Sequence, residues 1–223
     1  RQKQSGATIP VVILGPPEVE EEILSIRAGV DDYLGTPVDP RLLLAFVEAR
    51  IDRSRYLRNL IEHDGLTGLL THSAFMRRVK ICYDERSRKP DRPPLLVFGD
   101  LDHFKQINDT FGHPVGDRVL IALGSLLRKR MRRSDVVARY GGEEFAILLD
   151  DLSAEDGLRL TDRIRQEFAD FEHRDESGAA FRVTFSAGIA PLSDDMTVEQ
   201  WKVAADQALY SAKAGGRNRI VRA

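Results

Sequence analysis

Cysteine is almost missing from this chain: Cys82 is the only one among 223 residues. No internal disulfide can form, and a zinc site built on thiolates is excluded. Cys82 follows Phe75 and Val79 on the inward side of a helical stretch, with no base in its sequence context, so it reads as a core residue and not as a nucleophile. Net charge is scarce too. The 33 basic and 35 acidic residues leave −2, which gives no general argument for nucleic-acid binding. No apolar run is long enough to span a bilayer. The opening RQKQSGATIP lacks the apolar stretch of a signal peptide. These absences lead us to expect a cytoplasmic protein with no nucleic-acid partner and no membrane insertion. The missing initiator Met leads us to expect that the sequence starts inside a longer chain. What is present is 42% hydrophobic and 30% charged, enough apolar material for a core in one large domain or a medium domain plus a small one.

Two pieces are expected, 1–58 and 59–223. In the first, IPVVIL (9–14) reads as a buried strand and EVEEEILSIRAGV (18–30) as an amphipathic helix with Ile23, Ile26 and Val30 at helical spacing. DDYLGTPVDP (31–40) is a strand end running into a turn, and residues 41–61 form a helix too long for a small half-domain, a connector. In the second piece the expected order is α-β-α-β-β-α-β-α. Its parts are a helix within 63–79, a charged proline-rich loop at 86–94, a strand at 95–100 and a helix at 115–131. A hairpin across Gly141-Gly142, a helix at 155–171, a strand at 181–192 and a helix at 197–216 stopped by Gly215-Gly216 complete it. Such an order calls for an α/β (α+β) fold with a mostly antiparallel sheet flanked by helices.

The stretch VVARYGGEEFAILL (136–149) carries two glycines and two glutamates inside an apolar run. Gly141-Gly142 reads as a tight turn using the positive φ open to glycine. Asp100 stands where the apolar strand Leu95–Phe98 runs out, and Asp102 has the same parity. A strand-end Asp beside a hairpin that delivers Glu143, with a backbone carbonyl such as that of Leu101, offers oxygen ligands only. That set suits Mg²⁺ or Mn²⁺, a cation that also holds phosphate oxygens, and does not suit zinc or copper.

Four segments, GDLDHFKQINDTFGHPVGDRVL (99–120), RYGGEEF (139–145), FSAGIA (185–190) and ALYSAKAGGRNRI (208–220), together with DGLTGL (64–69), resemble the GGDEF-domain diguanylate cyclases in order and spacing. Thr71-His72 stands where that family commonly has Asn-Arg. The resemblance implies a palm-like nucleotidyl-cyclase domain that condenses two GTP to cyclic di-3′,5′-GMP with release of two pyrophosphates across a homodimer. It implies Asp100, Glu143 and the Leu101 carbonyl as metal ligands, and Glu144 by a second metal or the attacking hydroxyl, so that the catalytic carboxylates are Asp100, Glu143 and Glu144. Two metals about 4 Å apart lower the hydroxyl pKa and neutralise the α-phosphate. Phe104 and Lys105 match the turn whose N–H groups cradle phosphates. Lys213 and Arg217 match the grip on the β- and γ-phosphates. Asn108 and Asp117 match the readers of the guanine edge, and His113 supports that loop within reach of substrate.

RRSD (132–135) has the register of the family's inhibitory product site, which implies Arg132 and Asp135 as a cyclic di-GMP site with Arg163 as an auxiliary arginine. Read without the resemblance, RKRMRRSD is a solvated basic helix end. The first piece, through AGVDDYLGTPVDPRLLL, resembles the C-terminal half of a response-regulator receiver domain. Gly15 and Thr36 replace the Ser/Thr and the Lys that would contact a phosphoryl group there, which implies a degenerate, adaptor-type receiver. A nucleotide sensor without turnover, and a palm-like enzyme with another substrate, stay open beside the cyclase reading.

Overall fold

The computed structural model describes residues 9–85 and 92–223 and divides into two units, Arg1–Ile61 and Glu62–Ala223. In the first, strand β1 (Val12–Gly15) pairs in parallel with β2 (Asp32–Gly35), and helix α1 (Val19–Arg27) makes the crossover between them. Helix α2 (Pro40–Glu62) follows, running one residue past the division. The Arg50 guanidinium grips the Asp32 carboxylate through Nε and, at 2.8 Å, through Nη2. No described residue from 9 to 61 is buried. A Cβ at Gly15 would lie 2.1 Å from the Tyr33 hydroxyl, which donates to the Pro16 carbonyl at 2.7 Å. Thr36 Oγ1 donates to the Gly15 carbonyl at 3.0 Å, so the two positions that depart from the receiver pattern are neighbours.

The second unit continues with β3 (Leu70–Thr71), α3 (His72–Glu85), β4 (Leu95–Leu101), α4 (Phe104–Phe111), α5 (His113–Arg130), β5 (Val136–Arg139) and β6 (Glu144–Leu149). It closes with α6 (Ala154–Asp170), β7 (His173–Arg174), β8 (Ala180–Phe181), β9 (Phe185–Pro191), α7 (Val198–Ala214) and β10 (Ile220–Arg222). The sheet order is β10-β9-β4-β6-β5-β3. Its three inner pairings, β9–β4, β4–β6 and β6–β5, are antiparallel; β10 and β3 add parallel edges. This is the expected α/β sheet flanked by helices. The expected strand 181–192 is split, with β8 pairing with β7 in a small hairpin. Helix α4 and the short strands β3, β7 and β10 were not expected. Of the loop 86–94, residues 86–91 lie outside the described residues. Among the described residues no helix is long and apolar enough to cross a membrane.

Pleating sorts the central strand between two cores. Leu95, Val97 and Leu101 pack with Val119, Leu123, Ile164 and Phe168 from α5 and α6. Leu96 and Phe98 pack on the other face with Phe75 and Val79 from α3 and Trp201, Ala205 and Leu209 from α7. Helix α7 starts with a capping box between Thr197 and Gln200. It then lies directly on β9, because Gly188 presents no side chain: a Cβ there would sit 2.1 Å from the Leu209 amide nitrogen and 2.2 Å from the Ala205 carbonyl oxygen. The buried Trp201 indole donates to the Ala190 carbonyl at 2.8 Å and secures the same contact.

Gly188→Ala forces backbone apart in a close-packed interface, which costs about 1–3 kcal/mol. Thermal unfolding of this variant is expected to show a lower midpoint than wild type; an unchanged midpoint would contradict the close approach.

Candidate active site

The row Leu96, Phe98, Asp100 continues one face of β4 to its end, so the pleat that buries two apolar side chains also buries a carboxylate. Asp100 is 6% exposed. Its partner comes from α7. Ala205, Leu209 and Lys213 follow at spacings of four along one side of that helix. The contact at Gly188 seats the first two, and the Lys213 ammonium reaches Asp100 Oδ2 at 2.9 Å. Burial raises the Asp100 pKa above the usual carboxylate range; the hydrogen bond and charge of Lys213 oppose the rise, the Asp102 charge adds to it, and the Arg217 charge opposes it.

The connection 140–143 joins β5 to β6. The Tyr140 and Gly141 N–H groups both donate to the Glu144 carbonyl, at 2.7 and 3.2 Å. Neither glycine takes a positive φ, contrary to the sequence reading. The Glu144 side chain folds back over Gly141 instead, its Oε2 within 2.3 Å of where a Cβ would stand. Glu143 is half-buried and Glu144 exposed. In the sheet register Asp100 faces Glu144, and the Leu101 N–H donates to the Glu143 carbonyl at 3.3 Å. Burial raises the Glu143 pKa, the Asp100 charge raises it further, and Lys213 opposes both. Two carboxylates that each resist ionisation make a field that favours a cation.

Asp102 does not extend this pair. Its oxygens accept from Thr184 Oγ1 (2.6 Å), Ser186 Oγ (2.8 Å) and the Asn218 N–H (3.0 Å), so it braces the turn after α7 against the start of β9. Among the described residues no group of three or more His, Cys, Asp or Glu side chains is gathered to hold a metal. Asp100, Glu143 and the Leu101 carbonyl are therefore a partial oxygen set. They fit a hard dication that takes its remaining oxygens from water or a phosphate chain.

Of the expected base readers, Asn108 lies on α4 and Asp117 on α5. A Cβ on Gly116 would fall 1.9 Å from Asn108 Oδ1 and 3.2 Å from Phe104 Cζ, so the Asn108 side chain lies against α5 at Gly116. Phe104 is itself buried, in the core, and opens α4 behind His103, a left-handed residue (φ 58°) whose side chain does not cap the helix. Lys105, His113 and Asp117 are exposed. Arg217 is exposed just beyond α7, in a left-handed conformation (φ 60°).

Arg132 and Asp135 lie in the turn between α5 and β5. Asp135 Oδ2 accepts the Arg132 N–H at 2.8 Å, and Oδ1 is buried. Burial raises the Asp135 pKa. Both residues line a cavity of about 630 Å³ with Arg78, Arg128 and Arg133. Arg163, exposed on α6, is not among its lining residues.

A family model for the diguanylate cyclase GGDEF domain matches residues 61–219. The response regulator PleD of Caulobacter vibrioides is 34% identical over 99% of this chain and 51% of its own length. The diguanylate cyclase DgcP of Pseudomonas aeruginosa is 42% identical over 70% of this chain and 23% of its own. The chain thus spans about half, or less, of the curated relatives it matches. Among solved structures, the coiled coil and GGDEF domain of DgcB from Caulobacter crescentus in complex with c-di-GMP superposes with a TM-score of 0.73, at 30% identity, covering 82% of this chain and 98% of that one. The active GGEEF domain of a diguanylate cyclase from Vibrio cholerae gives 0.64 at 32% identity, covering 69% and 97%.

The raised Glu143 pKa has a consequence for stability. A carboxyl that titrates higher folded than unfolded stabilises the fold below its unfolded pKa and loses that contribution as pH rises through the folded value. Glu143→Gln removes the loss. At neutral pH without divalent cations the variant is expected to melt at or above the wild-type temperature, and the difference should vanish as pH falls below the ordinary glutamate range. A variant less stable at neutral pH would show that Glu143 is held by attractions instead.

Proposed function

Since the chain belongs to the GGDEF-domain family, we propose that it is a diguanylate cyclase that joins two GTP molecules into cyclic di-3′,5′-GMP and releases two pyrophosphates. The observation that carries this reading is the buried Asp100, paired to Lys213 and sharing a field with Glu143 at the end of β4. Asp100, Glu143 and the Leu101 carbonyl would hold Mg²⁺ or Mn²⁺, whose charge supplies neutralisation of the α-phosphate and acidification of the attacking 3′-hydroxyl. Glu144, exposed beside them, faces the second metal or that hydroxyl. Lys213 and Arg217 bind the β- and γ-phosphates, and the uncapped N–H groups of Phe104 and Lys105 add peptide dipoles. Asn108 and Asp117 accept from the guanine N1–H and 2-amino group, donors that adenine lacks there. His113 supports their loop at the start of α5.

Each chain positions one GTP, so ring closure needs a second copy, inverted, with each 3′-hydroxyl opposite the partner's α-phosphate. The product carries guanine donors and two phosphates. Arg132 and Asp135, in a cavity rich in arginine, suit those groups as an inhibitory site. Arg163 would contribute from elsewhere on the surface. For 1–58 we propose a degenerate receiver half joined by α2 to a cyclase domain at 59–223. The parallel β1–β2 pair and the adjacency of Gly15 to Thr36 support it, and neither position offers a phosphoryl group a cation.

Incubation with GTP and Mg²⁺, followed by mass spectrometry for the cyclic dinucleotide, tests the reading. Wild type should form it and folded Glu143→Gln should not; wild type without product overturns the proposal. Asp117→Ala should narrow the GTP-over-ATP ratio of kcat/KM by about 10- to 100-fold, because the discriminating acceptor is gone; an unchanged ratio removes Asp117 from base reading. Calorimetry with cyclic di-GMP should show binding to wild type that Arg132→Ala largely loses. Equal affinity in the two proteins returns RRSD to a solvated helix end.

A further inference from the structure

Glu143 must be held still to serve as a ligand, yet the turn carrying it has no left-handed glycine to lock it. The lock is one side chain. All three guanidinium nitrogens of Arg139, the last residue of β5, are engaged. Nε and Nη2 donate to the Gly142 carbonyl at 3.1 and 2.7 Å. Nη1 donates to both carboxylate oxygens of Asp64, at 3.3 and 3.2 Å. Asp64 is fixed in turn: its Oδ1 accepts from the Thr67 N–H (2.8 Å) and hydroxyl (2.7 Å), and its own N–H donates to the Leu69 carbonyl at 2.7 Å. Desolvation acts to raise the Asp64 pKa, but the Thr67 bonds and the Arg139 charge leave it below the usual value. Across the turn the Leu101 N–H holds the Glu143 carbonyl. The peptide before Glu143 is thus tied by Arg139 and the peptide after it by β4, which leaves the Glu143 side chain its own rotamers and little else.

We propose that Arg139 is a positioning residue for the Glu143 turn and that Asp64 is the anchor that orients it. The proposal deepens the cyclase reading and rests on it for its kinetic and Mn²⁺-binding consequences, while the order of the turn stands apart from it. The planar fork serves both partners at once, two nitrogens on a carbonyl and the third on a carboxylate, where a lysine ammonium would have one nitrogen for the two. Neither residue touches the substrate, so their loss should loosen the metal ligand and leave base recognition through Asn108 and Asp117 intact.

The test uses the full 223-residue chain with Arg139→Lys and, as the milder change, Asp64→Asn. A ligand misplaced by about 1 Å costs on the order of 100-fold in rate. Arg139→Lys is therefore expected to lower kcat by about 10- to 100-fold with KM for GTP within about twofold. The Mn²⁺ concentration for half-saturation, followed by electron paramagnetic resonance with a non-hydrolysable GTP analogue, should rise several-fold. Amide exchange should quicken across 140–144 and stay at wild-type rates in β4 and α7. Asp64→Asn should show the same pattern at smaller amplitude. A rise in KM with kcat preserved, or unchanged exchange and Mn²⁺ binding in both variants, overturns the positioning role. If wild type forms no cyclic dinucleotide, the cyclase reading falls, while the exchange measurement still decides whether Arg139 holds the turn.

Discussion

A carboxylate buried at the end of a central strand must be met by a cation or by hydrogen-bond donors, and the candidate site is organised around that requirement. Asp100 has no choice of direction, because the pleat that sends Leu96 and Phe98 into the core beneath α7 sends it the same way. An unpaired charge at that depth costs several kcal/mol or is lost by protonation. The fold meets it with Lys213, and the placement of Lys213 depends on how closely α7 lies on β9. That distance is set at Gly188, whose missing side chain lets helix backbone touch strand backbone. A glycine in a strand and a lysine at a helix end, 25 positions apart, thus serve one electrostatic need.

The same residues show why the pairing is incomplete by design. Lys213 does not bring Asp100 back to an ordinary pKa, and its charge fails to do so for Glu143 as well. One ammonium faces two carboxylates. The excess negative field is tolerable in the folded chain and favours a further cation, which is the usual exchange of stability for function at such sites. Asp102, one pleat beyond, makes the contrast. Equally buried, it is met by two hydroxyls and a backbone N–H within the chain.

Much of this was legible in the chain itself, where periodicity and burial coincide. The run Leu95–Phe98 ending in Asp100, the apolar stripe of α5 and the Thr197-to-Gly215 limits of α7 are local patterns, and the structure has them within a few residues. Helix α4 escaped because Phe104, Ile107 and Phe111 keep helical spacing for only eight residues, between a left-handed His103 and Gly112. The strands β3, β7, β8 and β10, of two or three residues each, are too short to show a period at all. At the site, Asp100 and Glu143 announced themselves as acids among apolar neighbours. Arg139 did not. An arginine closing a strand looks like surface until its partner Asp64, 75 positions earlier, is brought beside it. The glycine pair was read for torsional freedom, and neither glycine takes a positive φ.

The proposed product adds a constraint of its own. Cyclic di-3′,5′-GMP has two identical halves joined by two identical bonds, so the two bond-forming steps have the same chemistry. A single asymmetric pocket would have to bind the linear intermediate twice in different ways. Two copies of one pocket related by a twofold axis present each 3′-hydroxyl to the other's α-phosphate with no further machinery. On the cyclase reading, then, a chain that offers Asp100, Glu143 and the Leu101 carbonyl for one metal, with Glu144 beside them, is not deficient. The phosphate chain of its own GTP completes the ligand set, and the nucleophile arrives with the partner. What each chain must supply is rigidity at Glu143 and Asp100, which is where the pairings to Lys213 and the bonds across the 140–143 turn are concentrated.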